Sequence, residues 1–159
     1  ASAYGKLGQD PGRLGLCATP SDLRQHGAGE DLAALAAHRC SVYRNTGTGR
    51  VVPWRFKVGD EEVEQTVVPA LSTNDEVVEL HAVLSGKVIG QLAGVTAAPV
   101  IRAGQLVPLL VDHIPDRYSY FVYYGSRSAQ PARERVFIYH VLSRLVNNSE
   151  YVLCKNELR

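Results

Sequence analysis

The segment from Thr73 to Leu92 constrains this chain most. Thr73-Asn74-Asp75-Glu76 fits a T-x-x-E capping box, in which Thr caps the first free N–H groups of a helix and Glu reaches back to the cap. Val77, Leu80 and Leu84 then recur on one helical face, with Val83 beside it. Gly86 sits where a left-handed C-terminal residue belongs. Val88-Ile89-Gly90-Gln91-Leu92 follows as a short buried strand. A capped helix leading into a buried strand needs a sheet to pack on, and the flanking sequence predicts more units of this kind.

Leu14–Ala18 reads as a strand closed by Thr19-Pro20. Residues 21–27 read as one or two helical turns stopped by Gly27, and Glu30 to His38 as a short Ala- and Leu-rich helix. Cys40–Tyr43 is a strand. Arg44–Arg50 is a polar glycine-containing loop. Trp54–Val58 and Val63–Val68 alternate in polarity around a Gly59-Asp60 turn, which predicts a hairpin. Val95 to Ala103 reads as a helix interrupted by Pro99 and ended by Gly104, followed by an extended apolar stretch at 106–111. Tyr118–Tyr124 is an aromatic strand. Pro131 opens a final helix whose apolar face is Ile138, Leu142 and Leu145, flanked by Phe137 and Val141, and Asn147-Asn148 ends it. Strands alternating with helices give an α/β class with a mostly parallel sheet.

Composition narrows function. The 159 residues are 45% hydrophobic and carry a net charge of +1, which excludes a disordered chain and argues against broad electrostatic binding of nucleic acid by this segment. No run is long and apolar enough for a transmembrane helix, and the first residues have no signal-peptide core. Cys17, Cys40 and Cys154 are an odd set without C-x-x-C spacing, each read as a small buried hydrophobe in a reducing cytoplasm. Methionine is absent, which raises the expectation of a fragment.

Chemistry-bearing motifs are few. No P-loop, dinucleotide fingerprint, zinc-protease or nucleophile-elbow pattern occurs. In the loop at 46–50, Gly47-Thr48-Gly49-Arg50 lacks the Lys followed by Ser/Thr of a phosphate cradle. His26, His38, His81, His113 and His140 show no metal-ligand spacing, so no metal is expected. Asp112-His113 is adjacent on an extended segment, which points the two side chains apart. Tyr118, Tyr120, Tyr123 and Tyr124 fit packing better than base stacking. The Thr73-Asn74 turn is different. It lies between a strand and a helix start, where ligands gather in open α/β folds.

The chain resembles a known family over Leu14–Leu145. Leu16-Cys17-Ala18-Thr19-Pro20 with Leu23 is similar to an L-C-A-S-P-x-x-L stretch. Asp31-Leu32 and His38-Arg39-Cys40 are similar to the following D-L and H-R-C elements. Trp54-Arg55-Phe56, Asn74-Asp75, Gly86 and Gly104-Gln105-Leu106-Val107-x-Leu109-Leu110 continue the pattern in order. Tyr124-x-Ser126-Arg127, Pro131, Arg133, Arg135 and Phe137-Ile138 complete it. The family is that of the effector-binding domains of LysR-type transcriptional regulators. The chain departs from it at Gly86-Lys87-Val88, where the family has Gly-x-Gly, at Leu92-Ala93, where it often has Leu-Pro, and at Tyr139, where an acidic residue is common.

The resemblance implies a Rossmann-like lobe of a type 2 periplasmic-binding-protein-like fold, with a mixed sheet flanked by helices and a second lobe incomplete. Residues 1–13 would be an N-terminal remnant or crossover, 14–113 regulatory lobe II, and 114–159 the returning strand and C-terminal helix of lobe I. That helix would expose an apolar face, so a fragment or a self-pairing chain is expected. The implied function is sensing of a small, often anionic, effector for a bacterial cytoplasmic regulator. Thr73, Asn74, Tyr43, Arg44 and Asn45 would line the cleft, with Arg44 placed to pair with a carboxylate. The resemblance implies no cofactor, no catalytic residue and no membrane partner. It implies a homo-oligomer that touches DNA only through a helix-turn-helix domain absent from this chain. A stand-alone small-molecule-binding module is the alternative. An enzyme would need an acid–base or metal cluster that the sequence does not display.

Overall fold

The computed structural model describes residues 3–6, 14–28, 31–115, 121–124, 131–145 and 148–158. Its strands are β1 (Ala3–Lys6), β2 (Leu14–Ala18), β3 (Cys40–Tyr43), β4 (Trp54–Val58), β5 (Glu61–Gln65), β6 (Pro69–Thr73), β7 (Gly90–Ala93), β8 (Val107–Leu109) and β9 (Phe121–Tyr124). The α-helices are α1 (Pro20–His26), α2 (Glu76–Leu84), α3 (Gly94–Arg102) and α4 (Ala132–Leu145).

The central sheet forms around β2, which pairs antiparallel with β7 on one side and β8 on the other. Strand β3 pairs in parallel with β6. The two ladders join through a parallel bridge between Cys40 and Ile89, with Ser41 N–H donating to Ile89 O at 2.8 Å and Ile89 N–H to Arg39 O at 2.8 Å. The order is therefore β6-β3-β7-β2-β8, and β2 alone runs against the others. This is the mixed sheet that the resemblance implies; the antiparallel pairing of β2 on both sides departs from the mostly parallel sheet expected from strand–helix alternation. Strands β4 and β5 form a separate antiparallel hairpin, and β1 pairs antiparallel with β9 from Ala3↔Tyr124 to Lys6↔Phe121.

Apolar side chains fill both faces of the central sheet. One cluster combines Leu16, Ala18, Cys40 and Ile89 with Trp54 and Phe56 of the hairpin. The other combines Cys17, Val83, Val88, Leu92, Ala97 and Leu106 beneath α2 and α3. Alternation along β2 sends Leu16 and Cys17 to opposite clusters, as the period of a strand requires.

Several local expectations are corrected. The cap of α2 is Asp75, not Thr73: the Asp75 carboxylate accepts from Val77 and Val78 N–H at 2.8 and 3.0 Å. Thr73 is the last residue of β6, where its carbonyl accepts from Arg44 N–H, so it is committed to the sheet. Glu76 does not reach back either; its carboxylate accepts from Thr96 Oγ1 of α3 at 2.8 Å. The buried face of α2 is Glu79 and Val83, whereas Val77 is 60% exposed. Close approach of Val83 to Gly90 on β7 sets that rotation.

Strand β6 itself escapes the sequence reading, because Pro69 and the exposed Ala70 hide its pattern. Residues 33–37 form a 3-10 helix rather than an α-helix, and β5 begins at Glu61 rather than Val63. Helix α3 runs through Pro99 without a break. Pro99 is exposed, and Ala97 and Ala98 hold the helix on the sheet. Val111–His113 is a 3-10 turn, not extended, and His113 Nδ1 bonds the Lys57 carbonyl at 2.8 Å. Cys17 and Cys40 are buried thiols, but Cys154 is exposed ahead of the 3-10 turn at 155–157.

Gly86 takes the expected left-handed conformation (φ 69°) at the end of α2. The described part of α4 contains no buried residue, and Phe137 and Tyr139 are largely exposed. The expected strand at Tyr118–Tyr120 and the expected helix end at Asn147 lie outside the described residues.

Candidate functional site

The five candidate residues come from two neighbouring parallel strands. Register places Tyr43 beside Thr73 at the carboxyl ends of β3 and β6. One residue further on, the Arg44 amide donates to the Thr73 carbonyl at 2.6 Å. Asn74 follows directly and precedes the Asp75 cap of α2. The carboxyl edge of parallel strands, next to a helix start, is where open α/β sheets present ligand-binding groups.

Arg44 is exposed, and its guanidinium is held over this edge. Nη2 donates to Ser72 Oγ at 3.1 Å and Nη1 to the Gly49 carbonyl at 2.8 Å. Both acceptors are neutral, and among the described residues no carboxylate pairs with it. Its charge is therefore positioned but not compensated, which suits bidentate capture of a carboxylate. The Asn74 side chain is exposed and has no hydrogen-bond partner among the described residues. Thr73 Oγ1 accepts from Asp75 N–H at 3.1 Å, which stiffens the turn.

Asn45 plays a different part. Its Oδ1 accepts from Gly47 N–H and Thr48 N–H, both at 2.9 Å, and from Thr48 Oγ1 at 3.2 Å. The side chain shapes the loop after β3. The same bonds turn two loop amides inward, which removes the cradle that a phosphate would need at 46–50.

A groove of about 440 Å³ lies elsewhere, between the 3-10 helix at 33–37 and the end of the hairpin, lined by Leu32, Leu35, His38, Gln65 and Val67 among others. None of the five candidate residues lines it. A second group of polar side chains also went unseen in the sequence: His26 and His38 converge on Asp22. The Asp22–His26 pair at i, i+4 on a helix was its one visible signal. His38 joins it from 16 positions away, where no sequence spacing rule applies.

Comparison with known proteins agrees with this architecture. The model of the LysR substrate binding domain matches residues 7–146. An E. coli K12 protein named uncharacterized HTH-type transcriptional regulator YcaN is 28% identical over 140 residues, covering 88% of this chain and 45% of its own. A second E. coli K12 protein, the putative LysR family substrate binding domain-containing protein YagP, is 27% identical over 104 residues, or 65% of this chain and 76% of its own. Among solved structures, the regulatory domain of the LysR-type regulator CrgA from Neisseria meningitidis superposes with a TM-score of 0.73 at 23% identity, covering 91% of this chain and 69% of that domain. The chain thus spans less than half of the full-length regulator YcaN. It has the type 2 periplasmic-binding-protein-like fold of LysR regulatory domains, and it belongs to the LysR substrate-binding domain family.

Proposed function

We propose that this chain is the effector-sensing part of a bacterial LysR-type transcriptional regulator, and that it binds a small anionic metabolite at the carboxyl edge of β3 and β6. One observation carries the reading. The 2.6 Å bond from Arg44 N–H to the Thr73 carbonyl brings an uncompensated guanidinium, the Asn74 amide and the start of α2 to one edge of the sheet. The guanidinium takes the carboxylate, the Asn74 amide and Thr73 hydroxyl select its substituents, and Tyr43 forms the floor. Asn45 contributes by shaping the loop that supports Arg44.

Residues 14–113 are read as regulatory lobe II, and the β1–β9 pair as the crossover between lobes. Helix α4 belongs to lobe I, which explains the apolar residues it exposes. A ligand bound between the lobes favours one closure over another. A coupling of about 1–3 kcal/mol suffices to reset the DNA-binding heads of a homo-oligomeric, cytoplasmic regulator through their separate helix-turn-helix domains. No step of this reading needs a cofactor or a turnover reaction.

The test is a thermal-shift screen of the 159-residue chain against small mono- and dicarboxylates, followed by calorimetry of each stabilising compound. The Thr73→Ala, Asn74→Ala double variant should lose at least about tenfold in affinity, equivalent to ~1.4 kcal/mol. Unchanged affinity in that variant overturns the assignment.

A further inference from the structure

We propose that Asp22, His26 and His38 form a binding site for a divalent first-row transition ion, Zn²⁺ being the best match. The site stands on elements other than those of the effector edge. Asp22 and His26 lie one turn apart on α1, and His38 lies two residues before β3. His26 Nδ1 is 3.0 Å from Asp22 Oδ1, and His38 Nδ1 is 3.3 Å from Asp22 Oδ2. The two imidazole rings meet edge to face at 5.8 Å. One ligand atom from each residue lies within 4.8 Å of the others.

The donor set is two imidazoles and one carboxylate, which suits Zn²⁺ and its neighbours better than Ca²⁺ or Mg²⁺. Zn²⁺ bonds of about 2.0–2.1 Å place tetrahedral ligand atoms roughly 3.3 Å apart. The imidazole–carboxylate contacts of 3.0 and 3.3 Å are close to that spacing but end on different oxygens of Asp22, so one carboxylate oxygen must turn toward both rings. Rotation of His26, whose side chain is 47% exposed, brings the three ligand atoms from within 4.8 Å to that separation.

The frame beneath is rigid. Asp22 and His38 are buried, Asp22 N–H is held by Thr19 Oγ1 at 3.2 Å, and His38 N–H bonds the Leu35 carbonyl at 3.1 Å. The exposed side of His26 leaves a path for the ion and a fourth position for water. In the metal-free triad, each Nδ1–H donates to a carboxylate oxygen. Binding moves each of those protons to Nε2 of its ring, so that both Nδ1 lone pairs face the ion; a ring that starts as imidazolium releases one proton to solvent. The bound ion would clamp α1 to the segment entering β3.

Equilibrium dialysis and calorimetry with Zn²⁺ alone test this, using a Cys154→Ser chain to remove the exposed thiol. The chain should bind one equivalent, and its thermal midpoint should rise with Zn²⁺. His26→Gln, a substitution at an exposed ring, and Asp22→Asn, which keeps the shape, should each lose at least about 100-fold in affinity, beyond the 10–100-fold that outer-sphere partners carry. Co²⁺ loaded into the site should give the visible absorption of a four-coordinate ion, lost in both variants. Absence of one-equivalent binding, or undiminished binding in His26→Gln and Asp22→Asn, overturns the proposal. A triad that only holds the fold together would show neither the Zn²⁺-dependent midpoint nor the Co²⁺ signal.

Discussion

The Ser41 hydroxyl donates a 2.7 Å hydrogen bond to Glu79 Oε1, tying β3 to α2 across 38 positions of sequence. Both residues are buried, at 0% and 2% exposure. Burial pushes the Glu79 carboxyl above its ordinary range. The Ser41 hydrogen bond opposes this, and neighbouring Glu76 adds to it. The native state therefore holds a proton to higher pH than the unfolded chain does. Stability is full below the ordinary glutamate range and is lost as pH rises through that range and the raised native value. Glu79→Gln, which still accepts from Ser41, should flatten this fall. Denaturant melts at a series of pH values check it: the variant gains on the parent chain as pH rises from acid to neutral.

Gly90 sits under the same pair. A Cβ there would overlap Ser41 Oγ and stand 2.8 Å from Val83 Cγ2. Both neighbours are fully buried and have no room to retreat. Gly90→Ala should cost about 1–3 kcal/mol through overpacking. The cost should fall in the Ser41→Gly, Gly90→Ala double variant if the hydroxyl is the obstacle. Equilibrium urea unfolding reads both.

Assignment of the α2 cap separates two residues that look alike in sequence. Asp75→Ala removes two acceptor bonds to Val77 and Val78 and should destabilise by about 1 kcal/mol. Thr73→Ala should cost less, because its hydroxyl bonds only the Asp75 backbone, accepting from the amide at 3.1 Å and donating a long 3.5 Å bond to the carbonyl, and caps no helical N–H. A larger loss at Thr73 would restore the capping-box reading.

The legible part of the fold and its blind spots have physical causes. Leu16–Ala18, Gly27, Gly86 and Gly104 were readable because strand burial and positive-φ helix ends leave local residue signatures. Strand β6 was not, since an edge strand with one apolar residue, Leu71, among Pro69, Ala70, Ser72 and Thr73 gains its order from β3 rather than from its own pattern. The face of α2 shifted for the same reason: Gly90 and Ser41, distant in sequence, decide which side of the helix approaches the sheet. At the candidate edge, the placement of Tyr43, Arg44 and Thr73 followed from strand ends. Asn45 also follows the end of β3, but the bonds of its Oδ1 to Gly47 and Thr48 depend on the loop conformation and left no sequence signal. The Asp22–His26–His38 convergence depends on a long-range fold contact and left only an i, i+4 pair in the sequence.

Arg102 docks the C-terminal segment. It reaches Glu157 Oε1 and the Glu150 carbonyl at 2.7 Å, and the Ser149 carbonyl at 2.6 Å, while Leu158 buries beside Ile101 and Ile114. The Arg102 hydrogen bond, with help from the Cys154 amide, lowers the Glu157 carboxyl to about 2. Its contribution is present above the ordinary glutamate range and is lost as pH falls from there toward about 2. Arg102→Ala should release residues 148–158 at neutral pH. Hydrogen exchange of those amides at neutral pH checks it: their protection should fall in Arg102→Ala, and by more than acid lowers it in the parent chain, where Arg102 still holds the Ser149, Glu150 and Val152 carbonyls.

The proposed anionic effector would bind where β3 and β6 end. Amide chemical-shift mapping of the ¹⁵N-labelled chain, titrated with each carboxylate that raises its thermal midpoint, reads the site residue by residue. Saturable shifts should concentrate at residues 43–45 and 72–76, and Arg44→Gln should weaken the affinity by about tenfold or more. Saturable shifts confined to other surfaces and insensitive to Arg44→Gln, or the absence of a stabilising carboxylate, would contradict it.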